Sequence, residues 1–289
     1  SYSVTGVQTC ALPILAGKKV IIAVAPVAHM EKQIPHGIVN PVDPEVLANE
    51  VLGCVRAGAS LAHLHVRDTT GKQIGDLGVF SHTIDMIRKE SDVILQGSTG
   101  GLSTLSLEDR SASVNEPRIQ MASLNMGSTN FGDGVYINTW NDIRYWAATM
   151  KNHKVIAELE VFDLSMIGSI LHLAEEGALA TPLHFNVSLG FRGALSATAD
   201  NLFRLKQALP PGASWTLLHE GMTDFSLLAT AIGCGASGIR VGYEDGFYIR
   251  PGVPATNVEL VEHAATLVRQ MGFEVATVAE AKEMLGILK

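Results

Sequence analysis

A (β/α)8 TIM barrel is the fold class this sequence predicts. Eight β-prone runs alternate with helical patterns at about 30 residues per unit, the repeat of a closed parallel barrel. The first strand leads into Ala25-Pro26-Val27-Ala28-His29-Met30-Glu31. That turn lacks the glycine-rich phosphate fingerprint that the other candidate, an open doubly wound sheet, more often carries there. Polar residues recur where the strands end, the face on which such barrels build their sites. With 289 residues, 47% of them apolar, the chain is long enough for a large core in one domain.

The elements follow in order. Strands are expected at Val20–Ala25, Leu61–Val66, Val93–Gln96, Met121–Leu124, Val155–Val161, Leu183–Leu189, Trp215–Leu218 and Gly238–Val241, each a short β-prone run. Helices are expected at Pro44–Ala57, Gly78–Glu90, Leu107–Glu116, Trp140–Lys151, Ser165–Gly177, Ala199–Ala208 and Asp224–Cys234, with Asn257–Met271 and Val278–Leu288 after the last strand. Asp43-Pro44 supplies an N-cap with proline at the first helical position, and Gly58 follows that helix. Thr277 with Glu280 reads as a capping box. Residues 18–289 form one catalytic domain in this reading. Residues 1–17 read as an accessory leader that does not prepare the first strand and is not taken as native to the fold.

Composition narrows the function classes. The net charge is -8, and no Lys/Arg cluster forms the basic footprint of a nucleic-acid binder. No apolar run approaches the roughly 18 residues of a membrane helix. Cys10, Cys54 and Cys234 are an odd number without CxxC spacing, which points to reduced thiols in a cytoplasmic protein.

The chemistry centres on His63-Leu64-His65. On a strand the two imidazoles share one face. They read either as two ligands of one metal or as a pair of hydrogen-bonded core histidines. Glu244, after the eighth strand, is the candidate third ligand. Strands eight and two flank strand one and lie roughly 10 Å apart. Two histidines and one carboxylate leave a coordination position open, as catalytic zinc sites do. Glu244 could instead pair with an arginine. Arg240 and Asp245 read as a working pair, in which the guanidinium keeps the Asp ionised and oriented as a base. A surface ion pair is the plainer alternative. Ser98-Thr99-Gly100-Gly101 can hold a carboxylate with hydroxyls and backbone N–H groups, although the same residues make an ordinary βα turn. Ser123 and Asn125 are placed to line that pocket, and Glu31 and Glu160 to add negative charge at the mouth. His184 is a reserve ligand, and His219-Glu220 ends strand seven.

Together these segments resemble the β-keto acid cleavage enzymes, whose founding activity is 3-keto-5-aminohexanoate cleavage. The residues that carry the likeness are Pro44-Glu45, Ala57-Gly58-Ala59, His63-Leu64-His65-Val66-Arg67-Asp68, Ser98–Gly101, Leu124–Asp133 and Ile239–Asp245, in family order. The resemblance implies a zinc-dependent barrel that condenses a β-keto acid with acetyl-CoA, giving acetoacetate and a new acyl-CoA. His63, His65 and Glu244 match the zinc ligands. Asp245 matches the base, assigned to the acetyl-CoA methyl group, with Arg240 as its partner. Ser98, Thr99, Gly100, Ser123 and Asn125 match positions at the substrate carboxylate, and Glu31 and Glu160 positions facing its far end. Two acidic residues there imply a cationic end, amino or trimethylammonium. A homotetramer is also implied, with the last helix packed on a neighbouring subunit.

The chain departs from the family pattern in three loops. The seventh strand runs into His219-Glu220-Gly221-Met222-Thr223-Asp224 where an Arg commonly follows Gly. The sixth runs into Gly190-Phe191-Arg192-Gly193, and the first into Pro26–Met30 rather than a Thr-Gly pair. An amidohydrolase-like metal hydrolase is the enzyme alternative, but it would prefer the HxH pair on strand one. A non-catalytic metal- or ligand-binding homologue would have no use for a base at Asp245.

Overall fold

The computed structural model of the chain describes residues 17–101 and 104–287. The expected leader apart from Gly17, with Cys10, lies outside those residues, as does Leu288. Eight parallel strands close a barrel: β1 (Lys19–Val24), β2 (Leu61–Leu64), β3 (Ile94–Gly97), β4 (Met121–Asn125), β5 (Ile156–Val161), β6 (His184–Leu189), β7 (Ser214–His219) and β8 (Gly238–Val241). Each pairs with its neighbours in sequence, and β8 returns to β1 through Ala23↔Arg240. The surrounding helices are α1 (Pro44–Ala57), α2 (Gly78–Glu90), α3 (Leu107–Arg110), α4 (Trp140–His153), α5 (Leu164–Glu175), α6 (Ala199–Ala208), α7 (Ser226–Gly233), α8 (Asn257–Gln270) and α9 (Val278–Met284). The helix expected over Leu107–Glu116 is split, with a 3-10 turn at Ala112–Asn115 after α3.

Local chemistry explains the helix starts. Asp43 accepts hydrogen bonds from the backbone N–H groups of Glu45 and Val46 at the head of α1. The Thr277–Glu280 capping box is formed on both sides at the head of α9.

Strand alternation then sorts the core. Val20, Ile22, Val24, Leu64, Leu124 and Ile239 face outward into the layer beneath the helices. Ile21, Leu61, Ile94 and Met121 face inward and pack with Ala276, Ala281 and Leu285 at the barrel floor. Each Leu- or Ile-sized side chain buried there contributes roughly 1.5–3 kcal/mol. The last helix therefore covers the floor of its own barrel through Ala281 and Leu285. The floor also removes His184 as a reserve ligand: it opens β6 at the far end from the mouth, and its Nε2 lies 3.0 Å from the Leu285 carbonyl oxygen.

Two hairpins, Thr129–Phe131 with Gly134–Tyr136 and Tyr248–Arg250 with Val253–Pro254, and the strand Glu274–Val275 beside β1 were not expected from sequence. Runs of two or three residues carry no periodicity to read. Among the described residues no helix is long and apolar enough to cross a membrane.

Candidate active site

The mouth gathers five of the expected residues. β1 separates β2 from β8, and its inward Ala23 is paired with Leu61 on one side and Arg240 on the other. Alanine at that position leaves the space above β1 to side chains from both neighbours. Gly242, at φ 129°, then turns the chain sharply after β8, where any Cβ would overlap the backbone of Ala25. The turn delivers Glu244 and Asp245 over the barrel axis.

His63 Nε2 lies 3.3 Å from His65 Nε2 and 3.8 Å from Glu244 Oε1, and His65 Nε2 lies 3.1 Å from Glu244 Oε2. Donors bonded at about 2.1 Å to a tetrahedral ion stand about 3.4 Å apart. The three side chains thus fit one divalent cation, and His65 Nδ1 is buried without a hydrogen-bond partner. Burial pushes the His63 imidazolium down to about 3 and lowers His65 too, so both rings are neutral and carry lone pairs at neutral pH. Burial alone would raise the Glu244 carboxyl, but Arg240 and then the two histidines hold it well below its usual range.

Beside this cluster Arg240 grips Asp245 with two bonds, Nε to Oδ2 at 2.9 Å and Nη2 to Oδ1 at 2.6 Å. Nη2 also reaches Glu244 Oε1 at 3.1 Å. All three groups are largely shielded from water, so the fork–carboxylate geometry fixes Asp245 in place. Burial works against the Arg240 cation, but Asp245 and Glu244 outweigh it and strengthen the proton's hold. The Asp245 carbonyl accepts from the N–H groups of Gly221 and Met222, so the divergent loop after β7 holds Asp245 from behind.

A second group lies at the ends of β3 and β4. Ser98 Oγ accepts from Gly100 N–H at 3.0 Å, and Thr99 donates its hydroxyl to the Ser123 carbonyl at 2.5 Å. Thr99 therefore spends its hydroxyl on β4. Asn125 donates to Tyr136 Oη at 2.8 Å, while its Oδ1 is buried without a partner. Glu160 pairs in register with Asn125 and faces the same lumen.

Three residues beyond those expected join the site. Gln96, adjacent to His63 across the β2–β3 register, bonds its Nδ1 side. Tyr136 comes from the unexpected hairpin. Lys32 donates to the Glu244 carbonyl at 2.6 Å and pairs with Glu220 at 2.9 Å. Lys32 turns inward to these two acceptors, and Glu31 beside it is exposed on the turn after β1. Of the three, Gln96 alone had a signal in the sequence: it is polar, and it sits at the polar end of a strand.

Burial, with Glu158, Glu244 and Asp245 adding to it against the pull of Arg240, pushes the Glu160 carboxyl up to about 8. In the metal-free protein the folded chain then holds a proton that the unfolded chain releases above about 4.3. The stability due to this group is full below that pH and falls as pH rises toward 8. Glu160→Gln is expected to flatten the decline by up to about 1.4 kcal/mol per pH unit between pH 5 and 8. Urea melts of EDTA-treated wild type and variant across that window check it; parallel declines would contradict a proton on Glu160.

Fold and site together define a class: a (β/α)8 barrel with a His-His-Glu cluster and a buried Arg–Asp pair at its C-terminal mouth. The chain belongs to the beta-keto acid cleavage enzyme family, whose model matches residues 19–287. It is 39% identical over 272 residues to a 3-keto-5-aminohexanoate cleavage enzyme of Acetoanaerobium sticklandii, covering 93% of this chain and 99% of that protein. A protein of the same name from Fusobacterium nucleatum is 35% identical, covering 93% and 98%. A 3-oxoadipate:acetyl-CoA acetyltransferase of Cupriavidus necator is 31% identical, covering 86% and 89%. Among solved structures, apo ObcA aligns with a TM-score of 0.70 at 21% identity, over 86% of this chain and 65% of that one, a likeness of fold.

Proposed function

We propose that this chain transfers the acyl part of a β-keto acid to the CoA of acetyl-CoA, releasing acetoacetate, at a zinc site formed by His63, His65 and Glu244. The observation that carries the reading is the buried Arg240–Asp245 pair set directly against that cluster. A bound zinc would polarise the keto acid as a Lewis acid.

Atom balance decides where Asp245 acts. The keto acid gives up its CH2–COO⁻ unit and gains the CoA sulfur; the acetyl group does the reverse. The new carbon–carbon bond therefore joins C2 of the keto acid to the acetyl carbonyl. The proton that Asp245 takes comes from C2, in place of the acetyl methyl that the resemblance implied. CoA thiolate leaves, attacks the 3-keto carbon, and cleavage of the C2–C3 bond expels acetoacetate, whose C2 regains a proton. Arg240 holds Asp245 ionised and aimed throughout.

Ser98, Gly100, Ser123 and Asn125 are the groups for the substrate carboxylate, to which the serine hydroxyls and the Asn125 amide nitrogen can donate. Thr99 supports this end by tethering the β3 loop to β4. Glu160 faces the far end. A substrate ammonium there would favour its carboxylate, and the amino-bearing acids named for the two relatives from A. sticklandii and F. nucleatum support a cationic end. Glu31, on the turn after β1, is the second acidic residue proposed for that end. A cytoplasmic homotetramer belongs to the same reading and rests on the resemblance. Incubation with acetyl-CoA and cationic, acidic and aliphatic β-keto acids tests it. Acetoacetate is expected, fastest with the cationic acid; inertness across all three would overturn the assignment.

A further inference from the structure

The hydrogen bonds behind His63 have a direction. His63 Nδ1 lies 2.7 Å from Gln96 Oε1, and Gln96 Nε2 lies 2.9 Å from Glu158 Oε2. All three side chains are buried. They come from β2, β3 and β5, and Ser123 on the intervening β4 is small enough for Gln96 to reach past. An amide can offer a neighbour either its oxygen or its nitrogen. The Glu158 carboxylate accepts, so it selects the Gln96 nitrogen and turns the amide oxygen toward the imidazole. That oxygen accepts a hydrogen bond from Nδ1–H, and Nε2 keeps its lone pair toward His65 and Glu244. His65 has no comparable support, since its Nδ1 is buried without a partner.

We propose that Gln96 and Glu158 are positioning residues that lock His63 in its Nδ1–H tautomer for a divalent metal, with Glu158 acting one residue removed from the ligand. The inference rests on the reading that His63, His65 and Glu244 bind such an ion. Partners behind a metal-bound histidine fix its orientation and basicity, and losing them typically costs 10–100-fold in affinity.

Co2+ titration, followed by its visible absorption, tests this without any turnover. Gln96→Leu and Glu158→Leu are each expected to weaken Co2+ binding roughly 10–100-fold. The Gln96→Glu/Glu158→Gln double variant keeps an acceptor at His63 and a donor behind it, and is expected to bind within about threefold of wild type on the same grounds. Nitrogen-15 imidazole spectra of the metal-free protein should show His63 as the Nδ1–H tautomer, lost in Glu158→Leu. Should either leucine variant fail to fold, the double variant and the wild-type spectrum still decide. Unchanged Co2+ affinity in folded Glu158→Leu, weak binding by the double variant, or an Nε2–H tautomer in wild type would overturn the proposal. Absence of Co2+ binding by wild type would instead overturn the metal reading, and the tautomer would still be read from the metal-free spectrum.

Discussion

Asp245→Asn is expected to lower kcat roughly 10²–10⁴-fold, the contribution of a positioned general base, while the metal content stays at the wild-type level. The amide has nearly the shape of the carboxylate and can still accept from Arg240. It cannot take a proton at neutral pH. Arg240 also keeps its 3.1 Å contact with Glu244, so the ligand stays anchored. The KM for the keto acid should move little, because Asp245 acts on the reacting carbon rather than on the ends of the substrate. Arg240→Met is the contrasting change. It leaves Asp245 and Glu244 buried with no guanidinium, and breaking a buried pair in this way costs about 3–5 kcal/mol. Steady-state kinetics, metal analysis and denaturant melts separate the cases. Metal lost together with activity in Asp245→Asn would mean that Asp245 serves Glu244 rather than the substrate.

His63→Ala should remove bound zinc, taking the content from about one ion per chain, the stoichiometry of a three-ligand site, to a trace after dialysis. Its imidazole is the ligand held from behind, and His65 and Glu244 alone form a two-point site. The substitution also leaves the Gln96 amide oxygen buried without its donor, so some loss of stability accompanies it. Metal analysis by mass spectrometry checks the content, and a thermal melt checks that the variant is folded. Full zinc retention in folded His63→Ala would contradict the ligand set.

The His-His-Glu cluster and the Arg–Asp pair were legible because their spacing is local. His63 and His65 share a face by strand alternation, and Arg240, Glu244 and Asp245 lie within one strand and its turn. Their convergence also needed only the order of strands around a barrel. Gln96 and Glu158 were not legible as a pair, since their contact depends on register across β3, β4 and β5. Lys32 escaped because its direction is set by two acceptors, Glu220 and the Glu244 carbonyl, that lie far along the chain. His184 does face the barrel interior, as its strand pattern suggested. Alternation cannot say how far along the axis a residue sits, and His184 belongs to the floor. Tyr136 was hidden in a hairpin too short to carry a pattern, tied down by the buried Arg110 through the Ile137 carbonyl and the Asn138 side chain.

The central claim is that C2 of a β-keto acid joins the acetyl carbonyl of acetyl-CoA at this site. Acetyl-CoA carrying carbon-13 in both acetyl carbons, turned over with an unlabelled cationic β-keto acid, tests it most directly. The expected product is acetoacetate labelled in its methyl ketone half only, beside an unlabelled new acyl-CoA. Label in the new acyl-CoA, or acetoacetate without label, would contradict it.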